Sequence, residues 1–296
     1  MGELSHDKWA GTTYGNDFMH RWLIRGLRYI PTKAIYIFSK IFVVPPTMLI
    51  NRKSPRIIYR YFRERHQYNP LKAAWFTLRN HWDFSEVVID KFAAYAGKKF
   101  DIVIDNYDLF KSLSESPGGF IQLSSHIGNY EMAGYSLVSP KRLNALVFGG
   151  EKESVMANRT KMFEDKNIRM IPMLADMSHI FMINAALSNG EIVSMPCDRI
   201  FGSQKGFDVE ILGAEARVPQ GPFLLAATKN VPLLFTTVMK EGSHRYHITI
   251  HRIDYPEGMP PKRGAQIMAD NFGKLLTATM KEYPTQWYNY FEFWNL

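Results

Sequence analysis

The sequence predicts an α/β fold, with a central sheet, mostly parallel or mixed, that is flanked by helices. From residue 99 onward, short apolar segments of strand length alternate with helical stretches, as is typical of a parallel sheet covered on both faces. Of the 296 residues, 46% are hydrophobic and 22% are charged, so the chain can bury a large core. The pattern contains no repeat or linker, which favours one α/β unit.

Residues 1–98 are predicted to form a helical, membrane-associating region. The polar start has no signal-peptide pattern. Residues 21–50 are apolar and aromatic, but Arg25, Lys40 and other basic residues leave no uncharged run of the ~18 residues that span a bilayer. We therefore expect an interfacial helix or hairpin whose basic residues face lipid phosphates. An ordinary amphipathic core helix is the alternative.

The next segment, residues 54–98, is also predicted to be helical. Arg56, Arg60 and Arg63 share one face of it, which is either an ordinary solvated face or a basic surface for a membrane. Residues 99–296 are expected to form the α/β core as one structural unit. Its predicted strands cover residues 99–105, 119–125, 144–150, 167–173, 191–197, 231–239 and 245–253, and a final helix covers residues 265–282.

Charge and composition limit the partners. The net charge of +8 predicts an anionic partner: a phospholipid surface, a phosphorylated substrate or nucleic acid. Cys197 is the only cysteine, which excludes an internal disulfide and a cysteine-based zinc site. His247 and His251 would lie about 13 Å apart along a strand, too far for one zinc. No metal is expected, and the motifs for a nucleophile elbow, a dinucleotide or ATP are missing.

A histidine marks the predicted strand-to-helix junction in LSSHIGNYEMAGYSL, residues 123–137. Functional groups gather at the carboxyl ends of strands in such sheets. There His126 can act as a general base. Glu131 can bind its other nitrogen if the chain turns at Gly128 and a helix begins near Asn129. The N–H groups of this turn can hold an oxyanion or a phosphate. A structural histidine is the alternative, because the spacing alone is weak evidence.

The same motif, His126-Ile-Gly-Asn129-Tyr-Glu131, closely resembles the H-x-G-N-W-E signature of the lipid A secondary acyltransferases, within the lysophospholipid-acyltransferase-like superfamily. The opening KWAGTTYGN resembles that of a Bacteroidetes-type subgroup. Four further segments resemble family segments in the family's order: ANRTKMFEDKNIRMIP, SMPCDRIFGS, VPQGPFLLAATKNVPLL and YPTQWYNYFEFW.

This resemblance implies a glycerol-phosphate-acyltransferase-like fold and an O-acyltransferase on the cytoplasmic face of the inner membrane, peripheral or monotopic. The implied donor is an acyl carrier protein or CoA thioester. The implied acceptor is a hydroxyl of a lipid A-like molecule or of another glycolipid or aminolipid. Neither a cofactor nor nucleic acid is implied. A non-catalytic basic protein that binds membranes or nucleic acid is the alternative, but it has no use for a paired base and carboxylate.

The resemblance also assigns site residues. The implied catalytic residues are His126 and Glu131, with Gly128 at the turn and the oxyanion. The implied substrate-binding residues are Asn129, Asn158, Arg159, Asp198 and Arg199. Taken alone, an arginine such as Arg159 can bind a phosphate with two hydrogen bonds or lie on a helix surface. Likewise, Asp198 can position Arg199 or the acceptor, or cap the next turn.

Overall fold

The computed structural model describes residues 25–148, 167–173, 178–200 and 205–294. These residues contain nine β-strands. The described strands are β1 (Asp101–Asp105), β2 (Phe120–Ser124), β3 (Leu143–Phe148), β4 (Ile168–Met173), β5 (Ile192–Pro196), β6 (Gly206–Ile211), β7 (Ala214–Pro219), β8 (Leu233–Lys240) and β9 (Arg245–Ile253). Seven of them form one sheet in the order β1-β9-β8-β2-β5-β3-β4. Its neighbouring strands are parallel except for the antiparallel pair β8 and β9. The predicted α/β class is confirmed.

Helices cover the sheet. In chain order they are α1 (Thr32–Phe38, continued by the π-helical Ser39–Val43 and by Val44–Ile50), α2 (Lys53–Arg60, continued by the π-helical Tyr61–Arg65), α3 (Pro70–Tyr95), α4 (Tyr107–Glu115), α5 (Ala133–Ser136), α6 (Ser178–Ser188), α7 (Gly221–Lys229) and α8 (Pro261–Glu282). Short 3₁₀ turns cover Tyr130–Met132 and Pro284–Gln286. The long helix α3 begins where the Asn69 side chain accepts a hydrogen bond from the N–H of Lys72.

The core has one cluster on each face of the sheet. The central strand β2 is buried at all five positions, as expected for a strand with helices on both sides. Phe120 belongs to one apolar cluster and its neighbour Ile121 to the other. The same alternation recurs on β8 between Leu233 and Leu234. Because successive side chains on a strand point to opposite faces, each cluster covers one face.

A separate antiparallel hairpin, β6–β7, was not predicted. Leu212 and Gly213 connect the strands, both with positive φ (51° and 72°), which is the geometry of a tight two-residue hairpin turn. Phe207, Val209 and Ile211 are buried and alternate with polar residues. This period of two was a usable sequence signal for a strand.

Within the apolar N-terminal segment, Thr32–Ile50 forms one continuous helix, and the described residues show no hairpin there. Thr32–Ile50 is 19 residues long with a mean hydropathy of 1.4, and 17% of its apolar window is buried. The alternative of a core helix therefore does not fit. By length and composition the helix can cross a membrane, which is weak evidence by itself. Its exposed large apolar side chains are Ile37, Phe38, Ile41, Phe42, Val43, Leu49 and Ile50.

Candidate active site

The loop after β2 turns at Gly128, which has a φ of +64°. A Cβ at this position would lie 2.0 Å from the carbonyl oxygen of Val238, so only glycine fits both the angle and the space. The next residue, Asn129, donates its N–H to the same carbonyl at 2.8 Å. The loop is thus pressed against β8, and the turn expected at Gly128 is present.

One buried carboxylate binds His126 twice. Nδ1 of His126 lies 2.7 Å from Oδ1 of Asp198, and the backbone N–H of His126 donates to Oδ2 at 2.7 Å. The Asp198 side chain is fully buried. Since β2 and β5 are parallel neighbours with Ser124 opposite Pro196, His126 and Asp198 both stand two residues beyond their strands, at the same carboxyl edge of the sheet.

This contact decides which ring nitrogen can act as a base. Burial alone would raise the pKa of the Asp198 carboxyl, but the charge and hydrogen bonds of His126 and the charge of Arg199 outweigh burial and hold that pKa below its ordinary value. Asp198 is therefore ionised at neutral pH and accepts the Nδ1–H of His126. The lone pair then lies on Nε2, which has no hydrogen-bond partner among the residues described.

The carboxylate on Nδ1 is not the one expected from the sequence. Glu131 was expected to bind His126 from the first turn of a helix beginning near Asn129. Instead, the non-helical Asn129 (φ −120°, ψ 72°) and a short 3₁₀ turn direct Glu131 toward α3. There its carboxylate accepts hydrogen bonds from Nζ of Lys91 at 2.7 Å and from the Tyr95 hydroxyl at 3.0 Å. At Nδ1 of His126, where Glu131 was expected, the structure has the carboxylate of Asp198.

Two of the N–H groups in the turn that was expected to hold an oxyanion are already hydrogen-bonded within the protein. Gly128 donates its N–H to the carbonyl of Gln286 at 2.8 Å, and Asn129 donates to Val238. Both bonds fix the loop against neighbouring segments. The structure therefore supports the turn role of Gly128 and contradicts an oxyanion role for its N–H.

Two further residues expected to bind substrate contact other side chains of the protein. Asn129 is buried, and its side-chain amide donates to the Tyr246 hydroxyl at 3.3 Å. Arg199 donates from Nε to Oδ1 of Asn289 at 3.0 Å, and its guanidinium stands 5.3 Å from the ring centroid of Phe291. Both side chains are thus bonded to neighbouring parts of the protein and help to hold the elements around His126 in place. The expected positions Asn158 and Arg159 lie outside the described residues.

A segment near the C-terminus, residues 284–290, packs directly on the His126 loop. Tyr288 donates its N–H to the carbonyl of His126 at 2.7 Å, and Trp287 pairs with Ile127 through an isolated antiparallel bridge. With the bond from Gly128 to Gln286, the loop is hydrogen-bonded to this segment on both sides of Ile127, through His126 and Gly128. We call it the C-terminal segment. Its sequence resembles a family signature, but no role was predicted for this segment from the sequence.

Two side chains hold the C-terminal segment. Asn80 of α3, fully buried, donates to the carbonyls of Thr285 and Trp287 at 2.9 and 2.8 Å. The Gln286 side chain accepts from the N–H of Lys240 and donates to the carbonyl of Lys240. Asn80 follows the buried positions Ala73 and Thr77 at helical spacing. An asparagine on the buried face of a helix needs a hydrogen-bond partner inside the protein, so this position was a usable sequence signal for such a contact.

No metal site emerges in the part of the chain that the structure describes: no group of three or more His, Cys, Asp and Glu side chains could hold an ion there. His247, from the histidine-rich strand, lies between Glu241 and Asp105, which bind its two ring nitrogens at 3.0 and 2.8 Å.

The comparison with curated protein sequences gave no significant match. Among solved structures, the chain is similar to the 1-acyl-sn-glycerophosphate (LPA) acyltransferase PlsC from Thermotoga maritima, with 12% identity and a TM-score of 0.42 over 92% of this chain and 99% of that one. The sequence profile described as bacterial lipid A biosynthesis acyltransferase matches residues 67–292.

The matched residues include the His126 loop, Asp198 and the whole C-terminal segment. It confirms the resemblance seen in the sequence, and the alternative of a non-catalytic binding protein is set aside. A lipid acceptor and an acyl thioester donor follow at family level. The chain belongs to the bacterial lipid A biosynthesis acyltransferase family and is an acyltransferase that acts on a lipid.

Proposed function

We propose that the protein is an O-acyltransferase in which His126 is the general base. Nε2 of His126 takes the proton of the acceptor hydroxyl while the oxygen attacks the thioester carbonyl. The C–O bond to the acceptor forms in this attack, and the tetrahedral intermediate then expels the thiolate: the C–S bond breaks as the carbonyl double bond re-forms. The imidazolium returns the proton to the thiolate, so the products are an ester and a thiol. No covalent enzyme intermediate is required.

The observation that carries this proposal is the bond from Nδ1 of His126 to the buried carboxylate of Asp198. It fixes the ring tautomer, directs the lone pair to Nε2 and stabilises the imidazolium that forms during the reaction. The side chain of His126 is 22% exposed, so a substrate can reach it. Asp198 is a positioning residue in this scheme.

Glu131 keeps a proposed role through its neighbours. Its ion pair with Lys91 and its bond with Tyr95 join the end of the His126 motif to α3. We therefore place Glu131 in the wall of the site, where it fixes the 3₁₀ turn that follows the catalytic loop. Arg159 remains our proposed ligand for a substrate phosphate, on the strength of the family resemblance.

We further propose that the enzyme works on the cytoplasmic face of the inner membrane. The exposed apolar side chains of α1 suit the acyl boundary of a bilayer, and the net charge of +8 suits anionic headgroups. The proposed acceptor is a lipid A-like molecule or another glycolipid or aminolipid. The proposed donor is an acyl carrier protein or CoA thioester, which an electropositive surface would attract.

The test compares two histidine variants of the purified protein in acyl transfer from a thioester to a lipid acceptor. His126→Ala should lose about 10²–10⁴-fold in kcat, the usual contribution of a general base. His247→Ala is the matched control, since His247 is also bound by carboxylates but lies on β9. Circular dichroism checks that both variants are folded. A folded His126→Ala protein with wild-type turnover would refute the mechanism.

A further inference from the structure

A cavity with a volume of about 520 Å³ lies between the β6–β7 hairpin and the first residues of α7 and α8. None of its lining residues belongs to the site around His126. Three of them are basic, and we call the space they define the basic cavity: Lys205, Arg217 and Lys262. The remaining polar lining residues are Asp208, Gln220 and Gln266.

The basic cavity has an excess of positive charge. Arg217 is paired with Asp208, whose Oδ1 lies 3.0 Å from Nε of the guanidinium. The side-chain ammonium groups of Lys205 and Lys262 have no ion-pair or hydrogen-bond partner among the residues described, and both residues are exposed. One carboxylate therefore faces three cations. A concave surface of this kind attracts an anion that bears several oxygens, such as a phosphate.

The cavity is adjacent to the segment of chain that follows Asp198. A Cβ at Gly206 would lie 2.5 Å from Cγ of Arg217 and 2.7 Å from Cδ1 of Ile200. Both side chains therefore pack directly against the backbone of this glycine. Ile200 is the second residue after Asp198, and two residues span at most about 7 Å. With the length of the Ile200 side chain added, the Gly206 edge of the cavity lies roughly 15 Å or less from Asp198.

We propose that the basic cavity binds the phosphate of the acyl-thioester donor. This rests on the proposed function, since it assumes that the protein uses such a donor. In both CoA and a carrier protein, the thioester sulfur stands at one end of a pantetheine arm and a phosphate at the other. A phosphate site must therefore lie apart from the base that acts at the thioester. The basic cavity shares no lining residue with the His126 site, and it carries the positive charge that a phosphate requires.

Binding of two probes, measured by calorimetry, tests the assignment without turnover. The probes are CoA and a carrier protein that bears the unacylated arm. The Lys205→Ala/Lys262→Ala variant should raise the Kd of at least one probe about tenfold or more, because two charge-assisted contacts are lost. Lys111→Ala/Lys229→Ala is the control with the same charge change at exposed lysines elsewhere, and it should leave Kd nearly unchanged. Asp208→Asn should tighten binding.

The pattern of effects identifies the source of the phosphate. Weakening with CoA alone assigns the cavity to CoA, weakening with the carrier protein alone assigns it to that partner, and weakening with both points to the shared arm. Equal Kd values for the cavity variant and the wild type, or equal losses in the control, would overturn the proposal. If the wild type transfers no acyl group while Kd still responds to the cavity variant, the proposed function fails and the binding site stands.

Discussion

Asp198 combines complete burial with a full negative charge, an arrangement that is costly unless partners compensate it. His126 supplies two hydrogen bonds and Arg199 a nearby positive charge, and the pKa of the Asp198 carboxyl falls below its ordinary value. Because the pKa of Asp198 is lower in the folded state than in the unfolded state, this carboxylate stabilises the fold at pH values above its unfolded-state pKa. The contribution is lost as the pH falls through its folded-state pKa. The Asp198 carboxyl therefore stays ionised at neutral pH and accepts the Nδ1–H of His126, which leaves Nε2 to act as the base.

At the residue scale, the structure predicts a ranking of two carboxylates. Asp198→Asn should lower kcat about 10²-fold or more, because the amide neither fixes the tautomer nor stabilises the imidazolium. Glu131→Gln should lower kcat less, since its carboxylate binds Lys91 and Tyr95. Steady-state kinetics of the two purified variants measure the order. A greater loss of kcat for Glu131→Gln would restore the role that the sequence pattern first suggested.

At the element scale, the catalytic loop depends on contacts from distant parts of the chain. It bonds to β8 through Val238 and to the C-terminal segment through Gln286 and Tyr288. Asn80 of α3 fixes that segment in turn. A loop supported from two sides keeps its geometry without a long helix after it, and α5 covers only Ala133–Ser136. The precision of the site is thus a property of several packed elements.

The support from α3 can be removed with one substitution. Asn80→Ala leaves two buried carbonyls without donors and should lower the free energy of unfolding by about 2–3 kcal/mol. It should also lower kcat, because the C-terminal segment no longer holds the His126 loop. Asn184→Ala on α6 is the control, since that exposed side chain bonds only within its own helix. Urea denaturation and turnover are measured on both; equal behaviour of the two variants would contradict the role of Asn80.

Much of the architecture follows from local patterns, while the partners of the site do not. Every predicted strand has its counterpart, because apolar runs of strand length between helices report burial in the local sequence. The residue His126 and the turn at Gly128 were found in the same way. Asp198 is 72 positions from His126, and only the order of strands brings β5 next to β2. The preference for the nearer Glu131 failed because spacing cannot report strand order.

At the scale of the whole molecule, apolar and basic surfaces meet at the N-terminal helices. The rings of Phe38 and Phe42 are 57% and 64% exposed and lie 5.3 Å apart on α1. Arg52, Lys53 and Arg56 follow the end of this helix and are exposed. An apolar face beside basic residues is the combination that binds an anionic lipid surface by both burial and charge.

Liposome co-sedimentation tests this surface. Phe38→Ser/Phe42→Ser should weaken binding to anionic vesicles about tenfold or more, because two large apolar side chains are lost from the contact. Added salt should weaken the binding of the wild type further, since part of it is Coulombic. The control is Val138→Ser/Phe181→Ser, which removes exposed apolar side chains from other elements. Equal losses in both double variants, or no loss in either, would contradict an α1 membrane surface.

The central claim is that His126 and Asp198 act as one catalytic unit, and a double-mutant cycle on kcat tests it most directly. Acyl transfer is measured for the wild type, His126→Ala, Asp198→Asn and the double variant under the same conditions. If Asp198 acts only through His126, adding Asp198→Asn to His126→Ala should cause almost no further loss of kcat. Fully additive losses of kcat would show that the two side chains act independently, and would contradict the mechanism.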